Sequence, residues 1–111
     1  MQTSNFIKKM SDGTEIWCNR WIPDEEENIK GVIQLHHGLS EHCMRYDRLG
    51  SVLADNGFVL SAYDVRGNGH TAEIAEKNGN GMMGAISKFK GNKIVLNDLH
   101  EMITDLKDTY K

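Results

Sequence analysis

Apolar and polar residues alternate at strand-like spacing in the first quarter of this chain and recur at helical spacing further on. Phe6 to Met10 and Thr14 to Ile22 flank Ser11-Asp12-Gly13, a turn-forming cluster, and the second run carries Ile16, Trp17, Trp21 and Ile22. β-Branched and aromatic residues on both sides of a tight turn predict a β-hairpin, which ends at Pro23. Gly31 to His36 is apolar-rich, too short for a helix and soon followed by Gly38, so it reads as a buried strand of a parallel sheet. From Met44 to Asn56 the positions Met44, Leu49, Val52 and Leu53 recur at helical spacing, and Asn56-Gly57 supplies the stop. Phe58 to Tyr63 is the next strand. A strand, a helix and a second strand in succession predict a right-handed crossover unit, which brings the loops Leu35 to Cys43 and Asp64 to Thr71 to one edge of the sheet, where open α/β sheets bind their ligands. Glu73 to Ser87, with the turn-prone Asn78-Gly79-Asn80-Gly81, reads as an irregular loop holding no more than one short helical turn. A last helix is expected from about Asn92 to Tyr110, with Ile94, Val95, Leu99, Met102, Ile103 and Leu106 as its core-facing stripe.

Composition narrows the function classes. A chain of 111 residues suits one small domain. Its 13 Lys plus Arg against 16 Asp plus Glu give a formal charge of −3 with no basic stripe, so nucleic acid is not an expected partner. Asp24-Glu25-Glu26-Glu27-Asn28 is a solvated acidic connection. Cys18 and Cys43 have no C-x-x-C spacing, which excludes a disulfide framework and a zinc knuckle and fits two free thiols in a reducing, cytoplasmic setting. The opening MQTSNFIKKMSDGTEI has no apolar signal region, and no run approaches the roughly 20 apolar residues that span a bilayer. His36, His37, His42 and Cys43 are metal-ligand types close in sequence, yet adjacent histidines at a strand end are expected to point to opposite sides, and no second ligand pair has zinc-like spacing. No metal is expected. Gly67-Asn68-Gly69 lacks the third glycine of a dinucleotide fingerprint, since Ala72 follows Thr71.

The spaced elements His37-Gly38-Leu39, Glu41-His42, Arg45-Tyr46, Leu49, Leu53-Ala54, Gly57-Phe58 and Ala62-Tyr63-Asp64-Val65-Arg66-Gly67-Asn68-Gly69 carry a resemblance. Together they resemble the monoglyceride lipase and lysophospholipase branch of the α/β-hydrolases, often grouped with serine aminopeptidases. The hairpin before them and the Asp98-containing helix after them also fit. The resemblance implies an α/β fold of which this chain holds the N-terminal part, with nucleophile elbow, lid, catalytic acid and catalytic His beyond Lys111. No G-x-S-x-G occurs between Met1 and Lys111, so no nucleophile is expected here and the chain alone is expected to be inactive.

The resemblance also assigns roles. The residue after His-Gly donates a backbone N–H to the oxyanion in this family, which is Leu39 here, with His37 and Gly38 shaping the loop; this is half of an oxyanion hole. Fixed N–H groups of this kind lower the acyl-transfer barrier by about 3 to 4 kcal/mol each. Asp64, Arg66, Gly67 and Gly69 read as a structural corner, with the two charged residues bonding local backbone or each other. The family usually has His where Asn68 stands and Ser where Thr71 stands. A Ser-His-Asp mechanism needs no cofactor, and the implied substrate of the complete enzyme is a small amphiphilic ester such as a monoacylglycerol or lysophospholipid. The competing expectation is a non-catalytic α/β interaction domain. The resemblance implies that the strand Gly31 to His36 is paired on one side by the strand that carries the nucleophile, which is absent here, so the isolated chain is expected to be either partly molten or self-associated through that edge.

Overall fold

The computed structural model describes residues 1–25, 28–38, 41–77 and 91–110. Strands β1 (Gln2–Lys9) and β2 (Glu15–Ile22) form the expected hairpin, in antiparallel register from Gln2 opposite Ile22 to Lys9 opposite Glu15. Its turn closes through Met10 N–H to Thr14 O at 2.8 Å and Thr14 N–H to Asp12 Oδ1 at 3.0 Å. Strands β3 (Gly31–His36) and β4 (Phe58–Tyr63) run parallel, from Gly31 beside Phe58 to His36 beside Tyr63. A 3-10 turn (Cys43–Tyr46) and α1 (Asp47–Asp55) connect them. Helices α2 (Gly69–Lys77) and α3 (Gly91–Thr109) follow β4.

The sheet order is β1-β2-β4-β3, with β2 antiparallel to β4 through Cys18 opposite Tyr63 and Trp21 opposite Leu60. The hairpin therefore adds to β4, and β3 lies at an edge. This corrects the reading of Gly31 to His36 as a buried strand: Ile33 and His36 are exposed and the rest is half-buried, because one side of the strand has no sheet neighbour among the described residues. The order also brings the start of β2 and the hairpin turn beside the carboxyl end of β4, which is how residues distant in sequence reach the site.

Two apolar clusters fill the faces of the sheet. Met10, Ile16, Cys18, Tyr63, Val65 and Met102 bury one, with Val95 and Leu99 of α3 against them. Trp21, Cys43, Ala54, Leu60 and Ala62 bury the other, with Leu35 and Leu53 at its margin. The buried Trp21 indole decides how α1 sits. Its Nε1–H donates to Asp47 Oδ1 at 2.8 Å, and Gly50 lies so close that a Cβ there would run into the ring. Small residues Gly50 and Ala54 thus face the core, while Leu49 and Val52, two of the positions from which the helix was read, are exposed. A large aromatic on the sheet demands small partners on the helix, an inversion that hydrophobic periodicity misses.

Helix α2 begins at Gly69, inside the segment Asp64 to Thr71 that was read as a loop, which corrects that bound. Its residues 73–77 are the short helical turn allowed at the start of the segment Glu73 to Ser87; residues 78–87 of that segment lie outside the described residues. Two glycines and Asn68 argue locally against a helix. The helix forms nevertheless because Asn68 O accepts the Ala72 N–H at 3.0 Å and because Thr71 and Ala72 are buried on the side of β2. The last helix starts and ends within a residue of its expected bounds, with Met102 and Leu106 buried and Ile94, Val95, Leu99 and Ile103 half-buried. No helix among the described residues is long and apolar enough to cross a membrane.

Candidate functional site

Both loops leave the carboxyl ends of the parallel strands side by side, and Asp64 joins them. Its carboxylate is fully buried and accepts the Cys43 N–H on Oδ1 at 2.6 Å and the His70 N–H on Oδ2 at 2.8 Å. One side chain thus holds the end of the first loop and the start of α2. An ionised carboxylate receiving backbone donors forms strong bonds in a low-dielectric setting. Its main chain is fixed as well: Asp64 N–H donates to Trp17 O at 2.9 Å, and Asp64 O accepts the Thr71 hydroxyl at 2.7 Å. The same Thr71 oxygen accepts the Trp17 N–H at 3.0 Å, a pair of bonds that a serine hydroxyl could also make. Gly69 is required here. At φ +49° it passes so near the carboxylate that a Cβ would stand 2.5 Å from Asp64 Oδ2.

Arg66 does not bond Asp64, as the corner reading allowed, but reaches other elements. Its Nε and Nη2 form a fork on Asp98 of α3 at 2.6 and 2.9 Å, Nη2 also meets Asp12 at 2.7 Å, and Nη1 donates to the Thr14 hydroxyl at 2.9 Å. The hydrogen bond to Asp98 raises the Arg66 pKa further above its ordinary value. Burial works against the Asp12 charge, but the Thr14 N–H and Arg66 outweigh it and hold that carboxyl below its usual pKa. Arg66 thereby fastens the second loop to the hairpin turn and to α3. Gly67, at φ +78°, turns the chain back between Arg66 and the helix.

His37 is buried with both ring nitrogens engaged. Nε2 lies 2.9 Å from the Val65 N–H, which only donates, and Nδ1 lies 2.7 Å from Gly38 O, which only accepts. The neutral ring with its proton on Nδ1 satisfies both. His37 therefore braces one loop against the other and has no nitrogen free for acid–base work. Gly38 N–H donates to Glu41 Oε2 at 2.6 Å, and the Tyr46 hydroxyl donates to the same oxygen at 3.0 Å. The Gly38 N–H, chiefly, and then Tyr46 hold the Glu41 carboxyl below its ordinary pKa. Leu39, the residue assigned to the oxyanion, lies outside the described residues.

The histidine pair departs from expectation. His36 and His37 do not splay to opposite sides; their rings lie 6.3 Å apart at an interplanar angle of 23°, because β3 ends at His36 and strand alternation ends with it. His36 Nδ1 meets the Tyr63 hydroxyl at 2.6 Å. Burial, and then the neighbouring His37, lower the His36 pKa; with the imidazole proton on Nε2, the Tyr63 hydroxyl donates its hydrogen bond to Nδ1. Among the described residues no group of three or more His, Cys, Asp and Glu is placed to hold a metal. Burial pushes the Cys43 thiol far above its ordinary pKa, with Asp64 beside it adding to the shift, and pushes Cys18 up to about 12. Both thiols are unpaired and inert at neutral pH.

Sequence reasoning named Asp64, Arg66, Gly67 and Gly69 but missed their partners. Asp12 was seen only as a turn former and Asp98 only as part of a helix. An Asp on the apolar stripe of a helix, at the position between Val95 and Met102, was the available signal, since such a carboxylate needs a cation.

A parallel strand-helix-strand unit with a His-Gly loop braced against an Asp-x-Arg-Gly corner defines the front of an α/β-hydrolase fold. Residues 27–111 match the family model described as serine aminopeptidase, S33, and the chain belongs to that family. It is 27% identical over 96 residues to monoglyceride lipase of Rattus norvegicus, covering 86% of this chain and 25% of the relative. Its structure resembles that of a highly thermostable carboxyl esterase from Bacillus coagulans solved with glycerol, at a TM-score of 0.76 and 26% identity, covering 99% of this chain and 33% of that one. A soluble variant of monoglyceride lipase from Saccharomyces cerevisiae shares the fold, at a TM-score of 0.72 and 22% identity over 95% of this chain and 31% of that one. The chain thus spans about a quarter of the curated relative and about a third of each structure.

Proposed function

We propose that this chain is the N-terminal part of a serine-dependent carboxylic ester hydrolase whose complete domain cleaves small amphiphilic esters such as monoacylglycerols or lysophospholipids. The observation that carries the reading is the braced His37-Gly38 loop at the carboxyl end of β3. The family resemblance assigns the oxyanion of the tetrahedral intermediate to the Leu39 N–H, and the Gly38 N–H before it is engaged by Glu41. A second N–H, from the residue after the nucleophile, would complete the hole. The lipase and esterase names of the relatives support an ester substrate, and their greater length supports a nucleophile elsewhere in the domain. Asp64 and Arg66 are scaffolding in this reading, since both are fully engaged within the fold. The two unpaired buried thiols support a reducing, cytoplasmic location.

The reading frame beyond Lys111 tests this directly. A continuation carrying G-x-S-x-G between a strand and a helix is expected, and the 111-residue chain by itself is expected to show no turnover of p-nitrophenyl esters above background. Turnover that follows this chain through purification would overturn the reading, because no nucleophile and base are assigned within it.

A further inference from the structure

Gly38 is held on both of its peptide groups. Its N–H donates to Glu41 Oε2 at 2.6 Å, which fixes the peptide plane shared with His37, and its carbonyl oxygen lies 2.7 Å from His37 Nδ1, which fixes the plane shared with the next residue. The residue between the two planes has the widest conformational freedom of any, so without these bonds the planes would turn about its φ and ψ almost independently. Glycine is also what admits the carboxylate, since a Cβ at this position would stand 2.9 Å from Glu41 Oε2. A trans peptide points its N–H away from its own carbonyl, so whatever holds the Gly38 carbonyl sets the direction of the N–H assigned above to the oxyanion. His37 holds that plane directly. Glu41 holds the plane before it, and so stops the Gly38 backbone from swinging.

The two oxygens of Glu41 divide the work. Oε2 accepts both the Gly38 N–H and the Tyr46 hydroxyl, the latter at 3.0 Å, while Oε1 faces Arg45 Nε at 3.3 Å, where the arginine side chain is 67% exposed and the pair contributes little. Tyr46 ends the 3-10 turn that begins at Cys43, and the Cys43 N–H is bonded to the buried Asp64. The carboxylate therefore ties Gly38 to an element that is itself anchored on the second loop, and one acceptor oxygen makes both bonds. We infer that Glu41 is a positioning residue for ester hydrolysis: by accepting the Gly38 N–H it holds the Gly38 backbone in the orientation from which the following N–H meets the oxyanion, and it acts as a hydrogen-bond acceptor rather than as a charge. The inference rests on the ester hydrolase reading above.

Steady-state hydrolysis of p-nitrophenyl butyrate by the complete hydrolase proposed above tests this, with Leu39→Pro measured alongside so that the reading and the inference fail separately. Glu41→Ala is expected to lower kcat by about 10- to 10²-fold, because a misplaced donor is felt in the transition state, with KM changed by less than about two-fold. It is expected to weaken by the same factor an alkyl trifluoromethyl ketone, which forms a tetrahedral adduct with the nucleophile. Loss of fold alone would lower the amount of active enzyme and leave that affinity unmoved. Glu41→Gln puts an amide carbonyl where Oε2 stands and gives up the Arg45 contact, so it is expected to bring kcat back to within about three-fold of the parent. An unchanged kcat in Glu41→Ala beside a loss in Leu39→Pro would overturn the inference and leave the reading intact. A loss confined to KM, or a loss in Glu41→Gln as large as in Glu41→Ala, would overturn it too, the second because the charge would then be what acts. Full kcat in Leu39→Pro would remove the oxyanion assignment and the inference with it.

Discussion

From Asp64 to Thr71 the chain is bonded outward to several elements: Thr71 to β2, Arg66 to the hairpin turn and to α3, and Asp64 to the first loop. Among the described residues from His37 to Cys43 the bonds are to that second loop, through His37 and Val65 and through Cys43 and Asp64, within the first loop itself, through Gly38 and Glu41, or to the turn that follows it, through Glu41 and Tyr46. One loop holds and the other is held. A loop proposed to present a backbone N–H to a reacting oxygen needs fixed geometry more than it needs charge, and the neighbouring corner fixes this one. The residues most conspicuous in sequence, Asp64 and Arg66, are accordingly support in the proposed reading.

The comparison breaks most severely at Arg66. Arg66→Met leaves Asp98 buried without its cation and is expected to cost about 3 to 5 kcal/mol in urea unfolding. The double variant Arg66→Met, Asp98→Leu is expected to recover most of that, because the stranded charge is gone; no recovery would show that Arg66 acts through some other contact.

Asp64→Asn is the next largest. The shape is kept, but one of the two N–H groups then faces an amide NH2 instead of an oxygen, and a loss of about 2 to 3 kcal/mol is expected. Amide exchange at Cys43, in the other loop, is expected to accelerate with it. Unchanged exchange there would mean that the first loop does not depend on the second. Gly69→Ala sharpens the same point from the backbone side. Its positive φ and the Asp64 carboxylate in its path predict a loss of about 1 to 3 kcal/mol, read by thermal unfolding.

The smallest expected effect is on pH dependence. Asp12 and Glu41 have folded pKa values below their ordinary ones, so the folded state binds fewer protons than the unfolded chain as pH falls into the carboxylate range. Their contribution is complete above the ordinary carboxylate pKa and is lost as pH drops through the lowered value. Asp12→Asn is expected to flatten the acid limb of stability against pH slightly, and an unchanged limb would remove Asp12 from the Arg66 cluster.

Strands β3 and β4 were legible to the residue, because short apolar runs set off by Gly38 on one and by Asn56-Gly57 before the other leave few alternatives. The buried face of α1 was not, since Gly50 and Ala54 face inward only to accommodate Trp21, distant in sequence. Nor was α2, whose opening residues are poor helix formers and whose burial comes from β2. The corner residues could be named from their motif, but the partners of Arg66 lie 32 and 54 residues away and meet it only because the hairpin joins the sheet at β4. No local pattern records that order. His37 as a brace was readable in its role, whereas its two specific bonds depend on how the loops come together.

The most direct test of the division between the two loops is kcat in the complete hydrolase proposed above, with Leu39 replaced by Pro and by Ala. Proline deletes the backbone N–H assigned to the oxyanion and alanine retains it, so Leu39→Pro is expected to lower kcat by about 10² to 10³, and Leu39→Ala far less, with both variants matched in urea unfolding because proline also restricts the backbone. Equal kcat in two equally stable variants would contradict the account, since the held loop would then present nothing to the reaction.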